Sequence, residues 1–551
     1  MPSTLYALNA TGTAVLRFDS ANPGTITNAV KVSGLSSGET LRDLDFRPLN
    51  GHCYALAVTD NLKGNDTGRV YELNPLTGVL RPLSPGAPAI RNNPDDGMIY
   101  GFDFDPVADV IRVTNSLGQN FRIDPDSGLL LGTDTFRGTP TLAFSRNFEG
   151  TPTTTLFGID LATKSLVQKI GPAFTTVGPL GVSGIISDLG LDIQVNQRTG
   201  GDTAFAAMTV DGVAGLYTIN LATGSATLVG RIGSVGVEGL AAAPDSIIVV
   251  GPDRATGGPH VKVYDALTQT EKFSFFAYNL EFTGGVTVGS GDVNRDGVPD
   301  IITGMRCGGS QVKVFDGRNG ALIYSFVAYD PAYTLGIYVA GGDVNGDGFD
   351  DIITGTAEGG GNRCKVFSGR DLTLLHDFIA YDPLFTGGIR VGAGDIDGDR
   401  RADILTGPGE GSGTELRVFS GVDLTLLRSF VVYNPEFTGG LQVTTAFIDG
   451  DNRAEVVTGP GVGGRGRLRV FGADKHKVFA NHEIFGSQYQ GGLRVGATDV
   501  NGDGTPEVLG GPTPDRFEPL TILDVTSAKT VGSLSPFGEA FSGGLFIATG
   551  R

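Results

Sequence analysis

A chain of 551 residues with a formal charge of −19 is long enough for more than one core and too acidic for a nucleic-acid binder, which needs basic patches. Glycine, at 86 residues, is about twice its usual share of roughly 7%, while a normal 40% hydrophobic content argues against disorder and for a turn-rich β-architecture. Apolar runs such as Ser246–Val250 fall far short of the roughly 20 residues of a membrane span, and Met1-Pro2-Ser3-Thr4 leads straight into a strand-like stretch without the charged start and apolar core of a secretory signal.

Taken in chain order, residues 1–244 read as repeated β-units. Leu5–Leu8 and Val15–Asp19 come first. A fuller unit follows, with Leu44-Asp45-Phe46-Arg47-Pro48, then Tyr54-Ala55-Leu56, then Val70–Gly78. The pattern recurs at Phe102–Pro106 with Phe121–Gly128, at Leu142–Phe144 with Phe157–Thr163, and at Leu191–Ile193 with Leu216–Gly224. Short β-branched and aromatic runs bounded by Asp, Asn and Gly are strands joined by hairpin turns. Val237–Pro244 has the form of an opening piece with nothing after it, and the first unit lacks such a piece. Pairing the two would leave no sheet edge at the seam, so a five-bladed propeller is expected. Pro244-Asp245 leaves almost no spacer before the next half, which predicts a tandem rather than beads on a string.

From residue 245 an acidic ladder, D-x-[DN]-x-D-x-x-x-[DE], recurs at residues 292, 343, 395 and 499, with a damaged copy at 447, a step of 51 or 52 residues each time. One copy per module of that length, with four strand-like pieces per module, is the pattern of a propeller blade. The first copy offers Asp292, Asn294, Asp296 and Asp300, with the backbone carbonyl of Val298 between them. The second offers Asp343, Asn345, Asp347, Phe349 (carbonyl) and Asp351; the third Asp395, Asp397, Asp399, Arg401 (carbonyl) and Asp403; the last Asp499, Asn501, Asp503, Thr505 (carbonyl) and Glu507. Calcium takes six to eight hard oxygen ligands, and positions 1, 3, 5, 7 and 9 of such a turn supply most of them. A glycine at position 6 permits the sharp turn, but Arg400 stands there in the third copy. The damaged copy keeps Asp449, Asp451 and Glu455, with Phe447 as first residue and Asn452 at the turn, and is expected to bind weakly or not at all. An EF-hand is excluded, because position 12 is Thr303, Thr354, Thr406 or Gly510 and β-branched runs follow.

Paired residues before strand one, from Gly284-Gly285 to Gly543-Gly544, mark six first strands. The opening segment Ile247–Gly251 lacks one, so joining the two ends predicts a six-bladed ring. The ladders and the Pro-Asp-Ile-Ile-Thr-Gly strand at 299–304 resemble the FG-GAP/VCBS-type repeats of integrin alpha-chain propellers and secreted bacterial proteins, over about residues 245–551. That resemblance implies structural calcium in the loop joining strands one and two, about four ions here, and a location outside the cell or on its surface. Residues 1–244 resemble a bacterial propeller-like domain family of unknown function, which implies a fold and no chemistry.

The five histidines form no H-E-x-x-H, and the carboxylates lie mostly in ladders. A non-catalytic, calcium-stabilised binding or surface protein is expected, with a secreted glycosidase or lyase and a self-assembling surface-layer subunit as alternatives. The partner would be a protein or carbohydrate, or the chain itself. Candidate contacts are Tyr329, Tyr381 and Tyr433, which either face a ligand or wedge neighbouring blades, and the loop residues Arg465, Arg467 and Arg516. Cys307 and Cys364 occupy comparable loops, and their pairing is left open.

Overall fold

A computed structural model describes residues 3–59, 66–83, 90–92, 99–115, 118–133, 141–196, 199–233, 236–253, 258–472, 478–514 and 518–550. These are strands and turns throughout, with no helix long and apolar enough to cross a membrane. The chain divides into two compact units, Met1–Pro244 with Gly502–Gly504 and the remainder from Asp245 onward.

The described strands form antiparallel sheets of the β-propeller kind, almost all of four strands in a simple meander. In the second unit a representative sheet runs Ile337–Gly342, Asp351–Thr356, Arg363–Phe367 and Leu374–Ile379. One sheet departs from chain order: Leu545–Gly550 pairs with Ile247–Pro252, in register from Pro252↔Leu545 to Ile247↔Gly550. In the first unit Val237–Ala242 likewise pairs with Thr4–Asn9. First strands lie beside one another in chain order, from Val286–Gly291 to Leu493–Thr498, and Leu545–Gly550 lies against both of those two.

Burial explains why each strand has its composition. Second strands such as Asp351–Thr356 are covered on both faces by neighbouring sheets, so Ile352 and Ile353 are both fully buried and alternation vanishes. Each such side chain contributes about 1.5–3 kcal/mol. Fourth strands alternate between exposed and half-buried residues because only one face packs. At the entry to each first strand of the later unit the chain needs a left-handed glycine: Gly336 has φ +99, and a Cβ there would sit 2.0 Å from the Arg306 carbonyl oxygen.

Candidate cation-binding loops

Each ladder joins a first strand to a second, and its final acid opens the second strand: Asp300, Asp351, Asp403, Glu455 and Glu507. Position 2 of each copy anchors the loop, since Val293, Val344, Ile396, Ile448 and Val500 are buried. The carboxylate at position 1 then folds the turn around itself. Asp343 accepts Gly346 N at 2.7 Å and Gly348 N at 2.7 Å; Asp395 accepts Gly398 N at 2.6 Å and Arg400 N at 2.7 Å; Asp292 accepts Asp296 N at 2.9 Å and Gly297 N at 2.8 Å. Position 5 accepts the amide of position 7, as Asp347 does from Phe349 N and Asp399 from Arg401 N. Arg400 takes φ +68, close to the +81 and +80 of Gly297 and Gly348, so the third loop keeps the shared turn despite lacking glycine.

The acid at position 9 clamps the loop to the sheet. Asp351 accepts Val344 N at 3.0 Å and Gly369 N at 3.1 Å, and Asp403 accepts Ile396 N at 2.9 Å and Gly421 N at 3.3 Å. Loops are also stitched to one another: Asp350 N, Ala402 N and Ala454 N each donate to the position-1 carbonyl of the preceding loop, at 3.1, 2.8 and 2.7 Å. In the last copy Val500 N and the Asn501 amide both donate to Glu507.

The donor set fits a hard divalent cation. One oxygen each from Asp395, Asp397 and Asp403 lie within 4.8 Å of one another, and so do oxygens of Asp449, Asp451 and Glu455. Glu455 is fully buried; Oε2 accepts Ile448 N at 2.7 Å while Oε1 has no hydrogen-bond partner. The damaged copy therefore still gathers three acids, because the longer glutamate reaches both the clamp and the loop interior. In the first loop Asn294 Oδ1 is buried without a partner, while its Nδ2 donates to Asp300 at 3.3 Å; half a turn of the amide would offer oxygen inward. Burial, then repulsion from neighbouring carboxylates, pushes Asp292, Asp351 and Asp403 up to about 7 and Glu455 up to about 8. A bound cation would reverse that penalty on the charged forms. Asp292, Asn294, Asp296 and Asp300, with their counterparts in the other copies, are the residues that would hold it.

Of the two roles expected for the tyrosines, ligand contact or wedge between blades, the geometry matches the second. Tyr329, Tyr381 and Tyr433 are largely buried, and the single proton of each hydroxyl faces two backbone carbonyls of the next sheet, both within hydrogen-bond distance. Tyr329 reaches Thr354 O at 3.1 Å and Arg363 O at 3.0 Å; Tyr381 reaches Thr406 O at 2.7 Å and Glu415 O at 2.8 Å; Tyr433 reaches Thr458 O at 3.2 Å and Arg467 O at 2.7 Å. A buried phenol must find an acceptor, and here that need makes the ring a wedge between sheets. Arg465 and Arg467 are exposed, and Arg516 lies outside the described residues. Cys307 is exposed and Cys364 buried, both as free thiols. His376 and His482 each bond a backbone carbonyl, at 2.8 and 3.0 Å, in a packing role.

A set of acids in the first unit escaped the sequence reading. Asp45, Asp103 and Asp192 sit on innermost strands, all buried. Together they satisfy five backbone amides: Asp45 takes Phe46 N at 2.7 Å and Phe104 N at 3.1 Å, Asp103 takes Phe144 N at 3.1 Å, and Asp192 takes Ile193 N at 2.6 Å and Ala242 N at 2.5 Å. Asp103 Oδ1 is the oxygen left over, without a hydrogen-bond donor. Burial, then the charges of Asp45 and Asp192, raises Asp103 well above the usual carboxylate range, which favours a proton there, with Asp45 the neighbour within reach. A signal was present: an aspartate inside an otherwise apolar strand has to bond something.

Family models match stretches of both halves of the chain. Residues 338–365, spanning the second ladder and its strands, match the FG-GAP repeat model. The chain carries an FG-GAP repeat. The FG-GAP match covers one of the modules described above, and residues 14–241 match a second family, the Domain of unknown function (DUF4394). Among solved structures, a protein of unknown function from Bacteroides caccae is similar over 56% of this chain and 99% of its own, at 14% identity and a TM-score of 0.36. The Dos1 propeller is similar over 81% and 85%, at 9% identity and a TM-score of 0.33. The rhamnogalacturonan lyase YesW is similar over 59% and 67%, at 14% identity and a TM-score of 0.29.

Proposed function

We propose that this chain is a non-catalytic, calcium-stabilised binding or surface-structure protein that works outside the cell, built from a five-bladed propeller in residues 1–244 and a six-bladed one in residues 245–551. Ring closure is supported by the pairing of Leu545–Gly550 with Ile247–Pro252 and of Val237–Ala242 with Thr4–Asn9, because each leaves its unit without a free seam. The single observation that carries the cation reading is the repeated loop geometry, in which acids at positions 1 and 9 hold the turn while further oxygens converge. Each cation would tie one hairpin to its sheet and, through the stitched carbonyls, one module to the next. The extracellular assignment leans on the FG-GAP kinship and on the suitability of such loops for millimolar calcium.

Calorimetric titration of chelator-stripped protein with calcium tests the reading. Several binding events, with about four ions per chain and a raised melting temperature, are expected. A melting temperature indifferent to calcium rejects the structural role.

A further inference from the structure

The second residue of each innermost strand of the 245–551 unit is Thr287, Tyr338, Arg390, Gln442, Arg494 or Phe546. None is more than 7% exposed. All six occur at the start of their strands, at the end away from the ladders, and two of them meet across a strand that separates them. The Tyr338 and Phe546 rings lie 5.9 Å apart although Val286–Gly291 comes between their strands. Arg390 lies 4.6 Å from the centre of the Tyr338 ring and Arg494 4.3 Å from that of Phe546.

Two acids and a third arginine complete the cluster. Glu358 pairs with Arg390 at 2.6 Å and Arg306 at 3.0 Å and accepts the Tyr338 hydroxyl at 2.9 Å. Asp253 pairs with Arg494 at 2.6 Å and Arg306 at 3.4 Å. Burial works to raise Glu358, but Arg390 and Arg306 outweigh it and hold the carboxyl at about 2, so it remains charged. Among the described residues three guanidinium groups face two carboxylates, a surplus of one positive charge, with the Arg390 and Arg494 side chains buried and that of Arg306 a quarter exposed. Arg390 Nε and Nη1, Arg494 Nε and Gln442 Nε2 are buried nitrogens with no acceptor. Unpaired buried donors are rare in folded proteins, and those on a charged group are the most costly to leave unmade. The level beneath is tight, since a Cβ on Gly289 would come 2.9 Å from Ala340 Cα and one on Gly496 2.7 Å from Ile547 Cγ2. The donors themselves stand at the strand ends opposite the ladders.

We propose that Arg390, Gln442 and Arg494 form a binding site for a small carboxylate, seated against Tyr338 and Phe546. A single negative charge matches the one uncompensated guanidinium, and a carboxylate is an acceptor-only group that takes N–H donors from several directions. This site goes beyond the calcium reading and is independent of it, because none of its residues belongs to a ladder.

The test is calorimetric titration of the full, calcium-loaded chain with acetate, formate and inorganic phosphate. One acetate or formate per chain is expected, bound more tightly than phosphate. Gln442→Leu, which removes one uncharged donor, should weaken acetate binding about tenfold, and Arg494→Gln should weaken it further. The calcium-dependent rise in melting temperature should persist in Gln442→Leu and show that the variant is folded. No heat and no thermal shift with acetate or formate would overturn the proposal, as would tighter binding of phosphate or unchanged acetate affinity in Gln442→Leu. Loss of the calcium response with acetate binding intact would count against the cation loops and leave this site standing.

Discussion

The two units handle acidic side chains in opposite ways. In residues 1–244 the aspartates stand on innermost strands, buried among backbone amides that they satisfy, and one of them favours its proton. In the later unit the ladder acids lie in the loops between first and second strands or, like Asp300, Asp351 and Asp403, at the opening of the second strand, and second positions of the innermost strands carry arginine and glutamine. A carboxylate inside a sheet stack replaces a missing hydrogen-bond partner, whereas one in a turn can wait for an ion. The same residue type therefore satisfies backbone amides inside the sheets of one half and, on the reading proposed above, would meet a cation in the other.

Removal of a clamp should break the comparison most severely. Asp351→Ala leaves Val344 N and Gly369 N without their acceptor and deletes a candidate ligand, and should lower the stability of the second unit by about 3–5 kcal/mol, read by chemical denaturation in calcium. Next in size is pH, and it acts on the first unit. Burial raises Asp192 to about 6, so the folded unit binds more protons than the unfolded chain between pH 4 and 6. Stability from that group is full at the acid end and is lost as pH rises through about 6, a change of about 3 kcal/mol. Hydrogen exchange of Ile193 and Ala242 should accelerate over that range; constant or slower opening would contradict the sign.

The aspartate set offers a finer cut. Asp45→Asn retains one oxygen where two amides need acceptors and should cost about 1–3 kcal/mol, while Asp103→Asn keeps the bond to Phe144 N and supplies a donor toward Asp45, so its thermal midpoint should be unchanged or raised. Equal losses in both variants would dissolve the distinction between a saturated and an unsaturated acid. The smallest effect is expected from Arg400→Gly, which relieves a left-handed residue in the third loop and should add about 0.5–1 kcal/mol, visible as a slight rise in melting temperature.

Much of the later unit was legible because each module carries its own signals. The ladder fixes where a first strand stops and a second begins, and Asp300, Asp351 and Asp403 do open strands. Residues whose role is set by another module were legible only in part. Tyr381 reads as either a ligand contact or a wedge between blades until Thr406 and Glu415 are brought beneath its hydroxyl, and Arg390 has no reading until Tyr338 and Glu358 arrive. The outer strands of the first unit, such as Asn22–Lys31, escaped for another reason: with most of their side chains exposed they carry little apolar alternation.

The pairing of residues 545–550 with residues 247–252 also sets an order of events during synthesis. A ribosome must add about three hundred residues before the partner of Ile247–Pro252 emerges, whereas Thr4–Asn9 receives Val237–Ala242 before the later modules exist. The leading half can thus reach its native state on the ribosome while the trailing half is still unfinished, and the trailing half is the one that spends longest with an unpaired edge and greatest need of chaperone protection.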